Sequence, residues 1–317
     1  MSVSELVGGV IPPIATPLHD GRTVDVDSLL ALADSLVRGG ASGVFALGST
    51  GEAVYLHDVA RRQVVETLVS AHEQLPVIVG ILETTAPRAV AAAANFEGLP
   101  VSAFVAAGPF FAKSSEAEIY DHFATIADNV PAPVLAYNIP SNVGYSLPLR
   151  VLARLIEDGT IVGIKDSSPD LTGLRELVTH PHPEGALYLT GSDVLFDCAL
   201  AVGANGSVAG LANVAPKLFV RGLEAARAGD AAALAQVQGQ INCLARLYRG
   251  TDPSAGINSA QIGSIKTALA ILGVIASDQV SVPMRRSSAA RRDYVASVLK
   301  EGGLLEPHYA LRTLAGL

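Results

Sequence analysis

Lys165 ends the aliphatic run Ile161-Val162-Gly163-Ile164, and a lysine set among apolar neighbours at a strand end is the residue of this chain best suited to act as a nucleophile. Desolvation favours its neutral amine. Lowering a lysine pKa from a reference of about 10.4 to about 7–8 corresponds to roughly 4 kcal/mol of differential solvation, which a partly dry site can impose. A neutral amine adds to a carbonyl carbon and yields an imine, so the chemistry indicated is Schiff-base catalysis. Taken alone, the run fits a solvated strand-end lysine as well.

Two further segments bear on that choice. Tyr137-Asn138-Ile139-Pro140-Ser141-Asn142-Val143-Gly144 ends the preceding aliphatic run. An inward-facing Tyr137 lies one strand from Lys165 and can relay protons while an imine forms and a carbon–carbon bond is made or broken. A packed tyrosine with its hydroxyl satisfied by backbone is the alternative. Gly48-Ser49-Thr50-Gly51-Glu52 follows the second run. Its glycines permit a tight turn with converging N–H groups, and its two hydroxyls add donors, a combination that suits a carboxylate. An ordinary turn with a helix N-cap fits the same residues.

Other polar clusters read differently. His180 and His182 flank Pro181 in a helix-to-strand loop, with no H-E-x-x-H pattern or carboxylate triad beside them, so no metal site is expected. Gly203-Ala204-Asn205-Gly206 precedes the last run and reads as a tight turn, while Arg285-Arg286 and Arg291-Arg292 read as a solvated cluster at a helix end.

The elements that must position these residues recur as a βα unit. Short aliphatic runs cover residues 9–16, 43–47, 77–82, 103–107, 134–138, 161–166, 186–190 and 206–209, and helical periodicity covers 26–38, 58–73, 87–96, 116–129, 148–157, 171–179 and 194–201. Most runs are apolar at consecutive positions, as parallel strands covered on both faces require. Eight such units predict a (β/α)8 TIM barrel, with strand C-terminal ends and the following loops forming the site. An open doubly wound sheet is the alternative, but Gly9-Val10-Ile11-Pro12-Pro13 is not the glycine-rich dinucleotide turn that it calls for. Beyond residue 214 the Ala-rich stretches 218–227, 231–248, 262–272 and 289–299 predict helices, interrupted by the loop-like Thr251-Asp252-Pro253-Ser254-Ala255-Gly256. The division expected is a barrel over 1–228 and a packed helical extension over 229–317.

Composition narrows the partners. The chain has 317 residues, half of them hydrophobic and 16% charged, so a large core can be buried. A net charge of −8 leaves no basic stripe for phosphate backbones and argues against nucleic acid. Cys198 and Cys243 show neither CxxC spacing nor the density of a disulfide framework. There is no basic n-region at the start and no apolar run of the ~20 residues that a membrane span requires, so a soluble cytoplasmic protein without membrane partners is expected.

Taken together, the motifs resemble the dihydrodipicolinate synthase and N-acetylneuraminate lyase family of class I pyruvate-dependent aldolases. The resemblance runs from Gly9-Val10-Ile11-Pro12-Pro13-Ile14-Ala15-Thr16-Pro17 through the Ser49, Tyr137 and Lys165 segments and Gly191-Ser192-Asp193 to Ile265-Lys266-Thr267-Ala268-Leu269. It implies a Schiff base on Lys165, a catalytic phenol at Tyr137, and a pyruvate-carboxylate site at Ser49 and Thr50 with Gly51. Ser167 and Val208 join the expected substrate contacts. It also implies pyruvate or another 2-oxo acid and an aldehyde as partners, no cofactor beyond the covalent imine, and a homotetramer built as a dimer of dimers.

Departures from the family pattern concern the acceptor. Where dihydrodipicolinate synthases carry an Arg for the aldehyde's carboxylate, this chain has Asn142; where they carry a relay Tyr that crosses a subunit interface, it has Phe111; and where sialate lyases carry a polyol-binding Glu, it has Val194. A phenyl ring transfers no proton. The expectation is an aldolase or lyase acting on a 4-hydroxy-2-oxo acid, with pyruvate retained and an acceptor that is neutral and not richly hydroxylated. The rivals are a dehydratase of a sugar-derived 2-oxo acid, a dihydrodipicolinate synthase-like condensing enzyme, and a non-catalytic barrel that senses a 2-oxo acid.

Overall fold

Seven of the eight aliphatic runs form strands, since residues apolar at consecutive positions can bury both faces of a parallel sheet. The computed structural model describes residues 8–72, 74–249 and 255–305. Its strands are β1 (Val44–Ala46), β2 (Val77–Gly80), β3 (Ala103–Ala107), β4 (Val134–Asn138), β5 (Gly163–Asp166), β6 (Leu187–Thr190) and β7 (Gly206–Ser207). Sequence neighbours are sheet neighbours, and every pairing is parallel.

Helix α1 (Val26–Arg38) precedes β1, and the crossovers are α2 (Asp58–Ala71), α3 (Ala86–Ala94), α4 (Glu116–Asn129), the short α5 (Pro140–Val143) with α6 (Leu149–Glu157), α7 (Leu171–Thr179) and α8 (Phe196–Ala201). Their starts are written locally. Asp25 and Asp170 accept from backbone N–H groups of the first turn, and Ser115 closes a capping box with Glu118. The predicted helix 58–73 ends at Ala71, and Glu73 lies outside the described residues.

The eighth run, 9–16, is not a regular strand and departs from expectation for a covalent reason. Pro12 and Pro13 have no N–H to give a ladder. The segment instead bonds both edges of the sheet irregularly. Ser207 N donates to Gly9 O (2.8 Å) and Ile11 N to Ser207 O (2.8 Å), while Phe45 N donates to Pro12 O (2.9 Å) and Ile14 N to Phe45 O (3.0 Å). Within this segment only Val10 forms a β-bridge, with Ser207.

Strand alternation sorts side chains into two cores. Phe45, Ile78, Val105, Leu135, Tyr137 and Leu189 share the core inside the curled sheet, whereas Phe104, Ala106, Val134, Ala136 and Ile164 pack in the layer of the helices. With Ile164 facing the helices, Lys165 faces inward.

The C-terminal part contributes α9 (Pro216–Arg227), α10 (Ala231–Leu244), α11 (Ile257–Ile271) and α12 (Ala289–Glu301). Phe219, Leu244, Ile265, Val295 and Leu299 belong to the same core as the sheet's outer face. The predicted helix 231–248 finishes as a tighter 3-10 turn, Ala245–Tyr248, and α11 begins at Ile257 rather than at 262. Of the predicted break at 251–256, residues 251–254 lie outside the described residues. Among the described residues no helix is long and apolar enough to cross a membrane.

Candidate active site

Register decides the geometry at the C-terminal ends of the strands. Tyr137 on β4 is paired directly with Lys165 on β5, which places Lys165 Nζ 4.0 Å from the centre of the Tyr137 ring and 4.7 Å from that of Phe45. Both polar side chains are buried. Phe45 meets Tyr137 edge-on at 6.4 Å, so the inner wall of the site is aromatic. Gly191 leaves room for the lysine: a Cβ there would stand 2.0 Å from Ser167 Oγ and 3.3 Å from Lys165 Cε.

Burial by itself would raise the Tyr137 phenol, but the charge of Lys165 and hydrogen bonds with Ser167, Lys165 and Ser49 outweigh it and hold the phenol below its usual value. This is a hydroxyl in contact with one amine and two alcohols, suited to passing a proton among them. Ser167 is fixed by backbone, its N–H donating to Asn138 O (2.9 Å). Asp166 Oδ1 accepts from Asn138 Nδ2 and Ser168 N, both at 2.9 Å, which anchors the strand end on either side of Ser167.

A cavity of roughly 290 Å3 opens over this pair. Of the residues singled out from the sequence, Lys165, Tyr137, Ser49, Thr50, Asn142, Ser167, Val194 and Val208 all line it. Gly51 and Phe111 do not. Gly51 contributes to the turn, its carbonyl accepting from Thr16 Oγ1 at 2.8 Å. Phe111, on the loop after β3, is fully exposed and has a left-handed backbone with φ +76°, so it points away from the cavity of its own chain.

The loop carrying Ser49 and Thr50 is held in an unfavourable backbone form. Leu47 (φ +58°) and Glu52 (φ +60°) bracket it in the left-handed region, at about 1–3 kcal/mol each for a non-glycine residue. An ion pair with no solvent exposure fixes one end of it: Lys266 of α11 donates to Glu52 Oε1, and Ser281 N donates to Glu52 Oε2 at 2.6 Å. Lys266 also donates to Gln279 O at 2.6 Å. The extension thus grips the loop from behind. Glu52 and Lys266 were present in the sequence motifs, but nothing local marks residues 214 apart as partners.

Asp193, the last residue of the Gly191-Ser192-Asp193 motif, is buried. Burial raises its carboxyl to about 6, against the lowering effects of Leu211 N, Tyr248 and the charge of Lys165. Leu211 N donates to Oδ1 at 2.9 Å and Tyr248 Oη to Oδ2 at 3.0 Å. Among the described residues lining the cavity, Lys165 is the only Lys or Arg and Asp193 the only carboxylate. The mouth includes Asn258, Gln261, Ile262 and Ile265 from α11, which sequence reasoning missed. Their i, i+3, i+4, i+7 spacing is the signal that would have found them, had the helix been started at Ile257.

The histidine loop is elsewhere. His180 stands 3.7 Å from Glu157, and His182 contacts Pro183 O. Among the described residues there is no cluster of three or more His, Cys, Asp or Glu side chains able to hold a metal ion.

Residues 6–302 match the model of the dihydrodipicolinate synthetase family. A 4-hydroxy-tetrahydrodipicolinate synthase of Phenylobacterium zucineum is 30% identical over 304 residues, covering 96% of this chain and all of the relative. An uncharacterized DapA-like lyase of Halobacterium salinarum is 36% identical over 223 residues, 70% of this chain and 73% of the relative. Among solved structures, YagE of E. coli K12, a prophage protein of the dihydrodipicolinic acid synthase family in complex with pyruvate, superimposes with a TM-score of 0.86 at 27% identity, covering 95% of this chain and all of the other.

Proposed function

Because the chain belongs to the dihydrodipicolinate synthetase family, we propose that it is a class I lyase that retains pyruvate as an imine on Lys165 and makes or breaks a 4-hydroxy-2-oxo acid. The single observation that carries this reading is the cross-strand pairing of Lys165 with Tyr137 beside Ser49 and Thr50 in one cavity. The lysine lone pair attacks C2 of pyruvate, and loss of water from the carbinolamine gives the imine. Removal of a C3 proton gives an enamine whose carbon attacks an aldehyde carbonyl. The new alkoxide takes a proton, and water returns to C2 to release product and lysine. Tyr137 carries protons between these steps, and the Ser49-Thr50 turn holds the carboxylate. The imine is the electron sink, so no step calls for a metal or organic cofactor. In this reading residues 1–228, closed by segment 9–16 into a (β/α)8 barrel, are the catalytic part, and 229–317 the extension.

The acceptor end lacks a second cation among the described lining residues, which supports an aldehyde without a carboxylate. Asn142, Asn258 and Gln261 supply amide donors and acceptors there, so a few hydroxyls are accommodated and the expectation of a sparsely hydroxylated acceptor is relaxed. A dehydratase is the second reading, favoured by Asp193, whose carboxyl at about 6 can donate the proton that a departing hydroxyl needs. Exposed, left-handed Phe111 supports assembly into the homotetramer, with the ring at a neighbour's surface.

Borohydride reduction in the presence of pyruvate tests the chemistry. Peptide mapping should find a stable adduct on Lys165; an adduct on Lys113, Lys217 or Lys266 with Lys165 unmodified would overturn the assignment. A screen of aldehydes with pyruvate, read by mass spectrometry, then separates a condensation product from one lighter by a water.

A further inference from the structure

The arginines that the sequence presents as a solvated helix-end cluster surround a second cavity, of roughly 360 Å3, on the C-terminal extension. Arg285, Arg286 and Arg291 line it with Ser259, Ser287 and Ser288, and no carboxylate is among its described lining residues. In a chain of net charge −8 such a concentration of positive charge is local and specific.

The hydrogen-bond inventory of these residues is one-sided. Ser259 Oγ accepts from Arg285 N and Ser288 Oγ from Arg291 N, both at 3.3 Å, while Ser287 Oγ shares a hydrogen bond with Thr267 Oγ1 (2.8 Å). The Ser259 and Ser288 hydroxyls each spend an acceptor position on the protein and keep their own hydrogen to donate. Among the described residues Arg285, Arg286 and Arg292 outnumber the carboxylates that pair with them. Arg286 and Arg292 both pair with one buried carboxylate, Asp278, which further accepts from Thr267. The exposed Arg285 side chain has no ion-pair partner among the described residues. Arg291 is buried, donating to Ser264 Oγ at 2.8 Å and to the carbonyls of Leu247 and Arg249.

We propose that this cavity is a binding site for the phosphate group of a small phosphorylated molecule. A surface made of donors and surplus guanidinium charge calls for a ligand made of acceptors and negative charge. A phosphate group offers several acceptor oxygens and up to about two charges at neutral pH, with the geometry that guanidinium forks match. The site is separate from the catalytic one but shares a wall with it: Ser259 and Ala260 of α11 face the arginines, while Asn258, Gln261 and Ile262 face the catalytic cavity. The inference rests on these contacts and not on the imine chemistry.

Calorimetric titration of the full-length protein with inorganic phosphate, at ionic strength held constant with chloride, tests it. Saturable one-to-one binding is expected. It should weaken by at least about tenfold in Arg285→Glu, the loss of a charge-assisted contact, and by less in Arg285→Gln, which keeps the exposed position free of a new charge. It should persist in Lys165→Ala. Absence of saturable binding at millimolar phosphate would overturn the proposal, as would equal affinity in both Arg285 variants. Binding abolished in Lys165→Ala but intact in Arg285→Glu would move the anion to the catalytic cavity and likewise reject the site. A phosphate monoester run in parallel separates recognition of a phosphorylated molecule, which binds more tightly than the free ion, from recognition of the ion itself, which binds at least as well alone and would reject the organic part.

Discussion

At the inner end of the catalytic cavity Lys165 and Tyr137 are 4% and 3% exposed and sit in register on adjacent strands. At the mouth Val194 is 50% exposed, and the exposed Asn142, Asn258 and Gln261 come from a short helix and from the first turns of α11. Backbone ladders fix the first group to within a fraction of a side chain, and slipping one strand by a residue would turn its side chains to the other face. No ladder constrains the second group. The lesson is that the inner half of the site is tied to the fold, while the mouth can change without disturbing a strand.

Four measurements would break or sharpen that contrast. The largest effect belongs to the inner half: Tyr137→Phe should lower kcat by about 10^2–10^4-fold through loss of proton transfer, while borohydride still traps some pyruvate on Lys165. A variant within a few-fold of wild type would remove the phenol from the mechanism. Next is the support behind the Ser49-Thr50 loop. Lys266→Met leaves Glu52 buried without its cation and should cost about 3–5 kcal/mol in urea denaturation, and the protein that remains folded should show a raised KM for pyruvate. Unchanged stability would mean that the loop holds itself.

The third effect is a pH dependence. Asp193 rises from 3.8 to about 6 on folding, so its protonated form is favoured by the native state. That stabilisation is complete below the unfolded value and is lost as pH rises through about 6. Over this window it amounts to roughly 3 kcal/mol. Asp193→Asn should therefore gain stability relative to wild type between about pH 4 and 7, and a difference that stays flat with pH would show the carboxyl to be unshifted. The smallest effect is at the mouth. Asn142→Arg should improve kcat/KM for aspartate semialdehyde by about one to two powers of ten with the pyruvate KM unchanged. A loss of pyruvate binding would show that the two halves are coupled after all.

The same contrast explains how much was legible in the sequence. Lys165, Tyr137 and the Ser49-Thr50 turn stand at the ends of aliphatic runs whose period and length announce parallel strands, so order along the chain was enough to bring them together. The run at 9–16 has the composition of a strand, but Pro12 and Pro13 prevent it from pairing as one. Asn258 and Gln261 were hidden by a helix start placed too late, since Ile257 follows a glycine and no strong cap marks the onset. Asp193 and Tyr248, 55 residues apart, meet only in three dimensions.

The tie between Glu52 and Lys266 also orders events in time. A ribosome releases the loop that carries Ser49 and Thr50 first, whereas the ammonium that neutralises Glu52 emerges 214 residues after that carboxylate, and the amide of Ser281 that completes its bonding later still. Until then the carboxylate cannot enter the interior without a large desolvation penalty. The nascent chain must wait with this loop open to water, and the cavity that Ser49 and Thr50 line is completed only when α11 docks.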